Sequence, residues 1–213
     1  MKNKIAIIAN GPINNNDLNK ELLENFDIYI CADGGADNAK NFGIVPKYII
    51  GDMDSIKNSS LIYFKNHEKI EIIRDTNQDK TDLELAIDFA QKLNPKEIII
   101  FGAIGSRIDH TLANIYCLDK IKSGIEAKII DDKTTIELVK DKTKIVGKKD
   151  EIISVIPISS ISNLKYSGFK WNVENLDTQP GWFGISNKIE KESASISFSD
   201  GKLLLIRVRK NDD

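Results

Sequence analysis

The 213-residue chain has little cysteine, few aromatics, no excess of either charge and no long apolar run. Its two cysteines, Cys31 and Cys117, are too few for a disulfide framework or a zinc site. Both fall in apolar surroundings and read as buried thiols of a reducing compartment. Lys and Arg number 30 against 32 Asp and Glu, for a net charge of −2. That balance excludes a nucleic-acid binder held by a general basic field. A hydrophobic share of 41 % excludes an acidic, disordered chain. No stretch approaches the ~20 apolar residues of a membrane span, and Ile5–Ala9 is too short for a signal peptide. A cytoplasmic protein is expected. There is no G-x-x-x-x-G-K-[ST] phosphate loop, no G-x-G-x-x-G dinucleotide fingerprint, no internal repeat and no low-complexity linker.

What is present is a repeated device. Short runs rich in Ile, Val and Tyr (Ile5–Ala9, Asp27–Cys31, Tyr48–Ile50, Ile70–Ile73, Glu97–Phe101 and Ala127–Ile130) each run into a polar or glycine-containing turn. Helices are expected between them over Asp17–Glu24, Ala36–Phe42, Ser59–Asn66, Leu83–Leu93 and Leu112–Ile121. The clearest is the third-and-fourth spacing of Leu83, Ala86, Ile87 and Ala90, one apolar stripe on a helix face. Strands alternating with helices predict an α/β fold with a mostly parallel sheet covered on both faces.

After about Ser123 helical periodicity stops. Alternating runs follow, including Ala194/Ile196/Phe198 and Leu204/Ile206/Val208 on either side of Asp200-Gly201. A two-residue Asp-Gly link between such runs predicts a hairpin. The expectation is an α/β domain over residues 1–139 and an antiparallel β-sandwich over residues 140–213.

In open parallel sheets ligands bind beyond the carboxyl ends of the strands. There the sequence places Asp33-Gly34-Gly35 after the second run and Gly51-Asp52-Met53-Asp54-Ser55 after the third. Arg74 to Asp82 follow the fourth, and Gly102 to His110 the fifth. If Asp33, Asp52, Asp54, Asp82 and Asp109 share one crevice, their repulsion must be offset, and Mg²⁺ with substrate phosphates offsets it best. Each motif also has a plainer reading. Asp52 to Asp54 can be an Asx turn, and Thr81 to Glu84 a capping box in which Asp82 only complements the helix dipole. Asp109 can cap the next helix. The glycine pair after Asp33 fits a tight turn, and His67 and His110 read as ordinary polar positions. Arg107 before a helix start suits bidentate phosphate binding. Trp171 and Trp182 are either sandwich core or an aromatic wall, and the glycines around Trp182 favour an exposed loop.

The order D-G-G-A, G-D-M-D-S, Q-D-K-T-D, G-S-R-I-D-H-T-L-A-N and G-I-S-N resembles that of the thiamine pyrophosphokinases, from about Ile5 to Val208. The resemblance implies Mg²⁺-dependent transfer of the pyrophosphoryl group of ATP to the hydroxyl of thiamine, in a homodimer whose sites lie at the subunit interface. Carried over by motif, Asp52, Asp54 and Asp82 hold the metal. Asp33, Gly34, Gly35, Gln78, Thr81, Arg107 and Asp109 serve the nucleotide, with Arg107 and Asp109 also near the chemistry. Ser186, Asn187 and Trp182 lie on the thiamine side. Ser106 stands where the family commonly has glycine, and would strain the turn if it took positive φ. Two other classes stay open: a Mg²⁺-dependent phosphatase or nucleotide transferase using Asp52-x-Asp54, and a non-catalytic nucleotide or vitamin sensor.

Overall fold

The computed structural model describes residues 3–14, 16–76 and 79–208, with the backbone alone for Asp17 and Leu18. The chain divides into two compact units, Met1–Asp132 and Lys133–Asp213. The division falls a few residues ahead of position 140.

In the first unit the strands are β1 (Lys4–Ile8), β2 (Ile28–Ala32), β3 (Tyr48–Gly51), β4 (Glu71–Arg74), β5 (Glu97–Phe101) and β6 (Glu126–Ile130). They pair in parallel in the order β6-β5-β1-β2-β3-β4. The helices between them are α1 (Asp17–Leu22), α2 (Gly35–Asn41), α3 (Asn58–Lys65), α4 (Asp82–Lys92) and α5 (Ile108–Tyr116). Strand alternation divides the apolar residues between two faces. Ala6, Ile8, Cys31 and Ile49 pack with Ala36 and Ala39 of α2 and Phe64 of α3. Ile5 and Ile7 point the other way and are also fully buried, and α4 packs against β1, β2 and β3. The α4 stripe Leu83, Ala86, Ile87 and Ala90 is buried, as its spacing requires. Each such leucine or isoleucine stabilises the fold by about 1.5–3 kcal/mol. Both cysteines are buried free thiols. The fifth helix begins earlier than its apolar spacing indicates, at Ile108, and tightens into a 3-10 turn over Cys117–Lys120.

The second unit holds two antiparallel sheets. One contains β7 (Thr134–Val139), β9 (Ile152–Pro157), β12 (Gly184–Lys188) and β14 (Leu203–Val208), in the order β12-β9-β14-β7. The other contains β8 (Lys142–Val146), β10 (Ile161–Ser167), β11 (Leu176–Thr178) and β13 (Ser193–Ser197), in the order β11-β10-β13-β8. Between them Ile145, Leu164, Phe169 and Ile196 interdigitate with Ile153, Val155, Leu203 and Leu205.

The expected hairpin at Asp200-Gly201 is not one. Its arms lie in different sheets, β13 pairing β10 and β8 while β14 pairs β7 and β9. The turn is a corner that carries the chain across the sandwich. Ala194 and Ile196 meet Leu203 and Leu205 through the core. Gly201 takes φ +112° at this corner, where a Cβ would lie 2.2 Å from the Ser160 carbonyl oxygen.

Candidate active site

The sheet order reverses between β1 and β5, and a cleft of about 540 Å³ opens at the carboxyl ends beside that point. Its acids are set by local backbone chemistry. Asp33 leaves β2 at φ +38°, in a left-handed turn that Asp tolerates better than most residues. The two glycines after it are fixed by packing and not by φ. A Cβ on Gly35 would lie 1.9 Å from the Ile8 carbonyl oxygen, and one on Gly34 would lie 2.5 Å from the Asn10 amide. Asp33 is 1 % exposed, and its Oδ2 accepts the Ser55 N–H at 3.0 Å. Its Oδ1 is buried without a hydrogen-bond partner among the described residues.

Gly51 ends β3 at φ +146°, where a Cβ would lie 2.7 Å from Asp82 Oδ1 and 2.8 Å from Asp33 Cβ. Only glycine lets those two carboxylates close in. Beyond it Asp52 Oδ1 accepts the Asp54 N–H at 3.0 Å, so the Asx turn is present. Met53 takes φ +69° within it. Asp82 opens α4 just inside a complete capping box, with Thr81 Oγ1 accepting from Glu84 N at 3.3 Å and the Glu84 carboxylate accepting from Thr81 N at 3.0 Å. Turn, cap and site therefore coincide.

Asp33, Asp52 and Asp82 each bring one carboxylate oxygen to within 4.8 Å of the others. Asp54 lines the same cleft and takes a hydrogen bond from Ser55 Oγ at 2.8 Å. Burial, followed by the charges of Asp82, Asp52 and Asp54, pushes Asp33 up to about 6 against the pull of the Ser55 N–H. Burial and then Asp52 and Asp54 raise Asp82 as well. A buried carboxylate oxygen, converging carboxylates and raised pKa values together make a site that favours positive charge. Hard oxygen ligands at this spacing suit a divalent cation.

The opposite wall is formed by the loops after β1 and β5, which interlock through their backbones. Gly11 N donates to Gly102 O at 2.7 Å, and Asn38 Nδ2 donates to Ala9 O and Gly11 O at 2.9 and 2.8 Å. A Cβ on Gly11 would lie 2.4 Å from Gly102 O, and Gly102 itself takes φ +66°. The β5 loop is tied back to α5 by Thr111 Oγ1, which bridges Gly105 N and O, and by Asn114 Nδ2 on Ala103 O at 2.8 Å. Ser106 is not among the residues with positive φ, so serine sits there without strain. Arg107 precedes α5 and forks onto Asp109, with Nε donating to Oδ1 at 3.2 Å and a guanidinium nitrogen to Oδ2. That fork holds Asp109 down at about 2. Asp109 pairs with Arg107 and makes no cap, since no side chain caps α5.

Two family models cover most of the chain: the thiamin pyrophosphokinase catalytic domain over residues 19–129 and the thiamin pyrophosphokinase vitamin B1 binding domain over residues 133–203. The thiamine pyrophosphokinase of Bacillus subtilis is 32 % identical over 208 residues, spanning 95 % of this chain and 97 % of that protein. Its crystal structure superposes with a TM-score of 0.87 over 98 % of this chain and 100 % of the other, at 31 % identity. Thiamine pyrophosphokinase 1 of Oryza sativa subsp. japonica is 27 % identical over 210 residues, covering 86 % of this chain and 79 % of its own length. The chain belongs to the thiamine pyrophosphokinase family.

Of the residues singled out from the motifs shared with thiamine pyrophosphokinases, the first unit brings Asp52, Asp54, Thr81, Asp82 and Arg107 into one cleft. Asp33 joins the carboxylate cluster, and Asp109 attaches through Arg107. Gln78 lies outside the described residues. Ser186, Asn187 and Trp182 belong to the β unit. Ser186 is exposed at φ +60°, with its N–H on Ser154 Oγ at 3.0 Å. Asn187 is 7 % exposed and its amide is spent on structure. Nδ2 donates to Trp171 O at 2.7 Å, and Oδ1 accepts from Trp171 N at 3.1 Å and Lys188 N at 2.9 Å. Trp182 is not an exposed loop residue. It packs on the sandwich core against Gly184, whose Cβ would lie 2.8 Å from the indole. The exposed indole is that of Trp171, at 54 %.

The loop after the first strand carries none of the motifs above and still belongs to the cleft. Asn10, Gly11 and Pro12 line the cleft beside Asp75, Lys80, His110 and Asn114. The available signal was a Gly-Pro pair directly behind the first apolar run.

Proposed function

We propose that this chain catalyses transfer of the pyrophosphoryl group of ATP to the hydroxyl of thiamine, giving thiamine diphosphate and AMP. The observation that carries the reading is the converging Asp33, Asp52 and Asp82 trio beyond the carboxyl ends of β2 and β3, in a chain that matches thiamine pyrophosphokinases over nearly its whole length. A polyphosphate enters such a negative cleft only together with a cation. Mg²⁺, the ordinary partner of carboxylates and substrate phosphates, would be held by Asp52 and Asp82 with Asp33 and Asp54, and would neutralise phosphate charge.

The protein's own groups then position the reactants. Thr81 and the interlocked loops fix the acids and the wall. Arg107, with a planar fork now occupied by Asp109, has the geometry to take two phosphate oxygens. Positioning and charge neutralisation carry most of phosphoryl-group transfer. Ser186 and Asn187 serve thiamine from the β unit, Asn187 by setting the Trp171 turn.

A homodimer accords with the apolar side chains that α5 leaves exposed, Ile108 at 67 %, Leu112 at 52 % and Tyr116 at 54 %. Light scattering giving twice the chain mass is the expected result. The activity itself is tested by incubating ATP, thiamine and Mg²⁺ and analysing products. AMP formed one-to-one with thiamine diphosphate is expected. ADP, or phosphate released without thiamine, would overturn the proposal.

A further inference from the structure

On the reading that the cleft takes MgATP, its positive charge is in short supply. Among the described residues lining it, the permanent cations are Lys80 and Arg107, against Asp52, Asp54, Asp75 and Asp82. Both cations are engaged with acids outside the metal-binding trio. Arg107 pairs with Asp109, and Lys80 Nζ lies 2.6 Å from Asp88 Oδ2. Lys80 sits one residue before the Thr81 cap, whereas Asp88 lies well along α4, so the lysine stem folds back along the helix away from the acids at its start.

We infer that Lys80 is a phosphate-binding residue of this cleft, stored on Asp88 and delivered to the nucleotide's phosphates when MgATP enters. The ion pair is exposed on both sides, with side-chain accessibilities of 42 % and 41 %, and pairs of that kind are worth little in water. A triphosphate offers the ammonium several anionic oxygens in place of one carboxylate. The exchange needs only rotations within a flexible four-carbon stem, with no backbone movement. Asp88 holds the Lys80 ammonium back along α4, away from the carboxylates at the helix start.

Two substitutions separate this from a structural ion pair, because both break the bridge and only one removes the ligand. Affinity is read by calorimetry with the magnesium complex of α,β-methylene-ATP and no thiamine, so the measurement does not depend on turnover. Lys80→Gln is expected to weaken binding by about tenfold and to flatten its salt dependence. Lys80→Arg should restore most of the affinity. Asp88→Asn frees the lysine and should tighten binding by about two- to fivefold, a gain that disappears in the Lys80→Gln/Asp88→Asn double variant. Both single variants shifting affinity the same way, an unchanged Lys80→Gln, a gain that survives in the double variant, or a wild-type chain that does not bind the probe would each overturn the inference. A wild-type chain that binds the probe through Lys80 but makes no thiamine diphosphate would refute the proposed activity and leave the Lys80 assignment standing.

Discussion

At the scale of single residues, Asp33 carries the largest electrostatic load. It is buried, one oxygen has no partner among the described residues, and its pKa is pushed up to about 6. The folded chain therefore binds this proton more tightly than the unfolded one. Its stabilising contribution is complete below about pH 4 and is lost as pH rises through about 6. Asp33→Asn keeps the shape, the left-handed turn and the acceptor for Ser55 N while removing the charge. In metal-free buffer at pH 8 it should be more stable than wild type by about 1–3 kcal/mol, at about 2–4 °C of Tm per kcal/mol. Near pH 4 the two should melt together. The same variant should lose thiamine diphosphate formation and the Mg²⁺-induced rise in Tm. A wild-type-like metal response would remove Asp33 from the cation site. Asp54→Asn tests the neighbouring loop, and is expected to abolish turnover while leaving circular dichroism and Tm unchanged, since Asp54 is exposed in the cleft.

At the scale of elements, the start of α4 joins stability to chemistry. Thr81 caps the helix, and the next residue is Asp82. Thr81→Ala should cost about 1 kcal/mol by thermal or urea unfolding. It should also lower kcat more than the stability loss accounts for, because a frayed first turn misplaces Asp82. Thr81→Ser, which keeps the capping oxygen, should restore both. A variant that loses stability with unchanged kcat would show that the cap and the site are independent. Gly51 behaves differently. Alanine there would adopt a strained φ, with its Cβ 2.7 Å from Asp82 Oδ1. Gly51→Ala should abolish activity and lower Tm together.

At the scale of the whole molecule, the β unit shows what a linear pattern conceals. Strand and helix order in the first unit was legible because each apolar run there is one buried parallel strand, and Leu83 to Ala90 declares its helix face. The acids were legible because they end those runs. The β13–β14 corner was not. Period-two alternation says which side chains point inward, and two strands facing each other across a sandwich alternate just as two hairpin neighbours do. Only the partners of β13 and β14 distinguish the cases. Trp182 was misread for a related reason. Neighbouring glycines mark an exposed loop as readily as they mark space cleared for an indole, and Gly184 does the second. Asp33 was visible as an acid but not as the buried one, because burial comes from packing around β2, β3 and α4. Gly201→Ala tests the corner directly. Overlap with Ser160 O and a φ of +112° should cost about 1–3 kcal/mol in unfolding, while KM for ATP, on the proposal that the first unit's cleft binds it, stays within twofold.

The interlocked β1 and β5 loops also have a kinetic consequence. Their hydrogen bonds to one another and to Asn38 fasten that wall before any substrate arrives. Little ordering entropy is left to be lost there when a nucleotide binds. What moves at the rim is side chain, on the nanosecond scale of rotamer exchange. Nucleotide association should then proceed in one step whose rate depends on ionic strength, since it is steered by charge and not gated by rearrangement of this wall. Stopped-flow traces with a fluorescent ATP analogue should stay single-exponential, with an observed rate linear in nucleotide concentration.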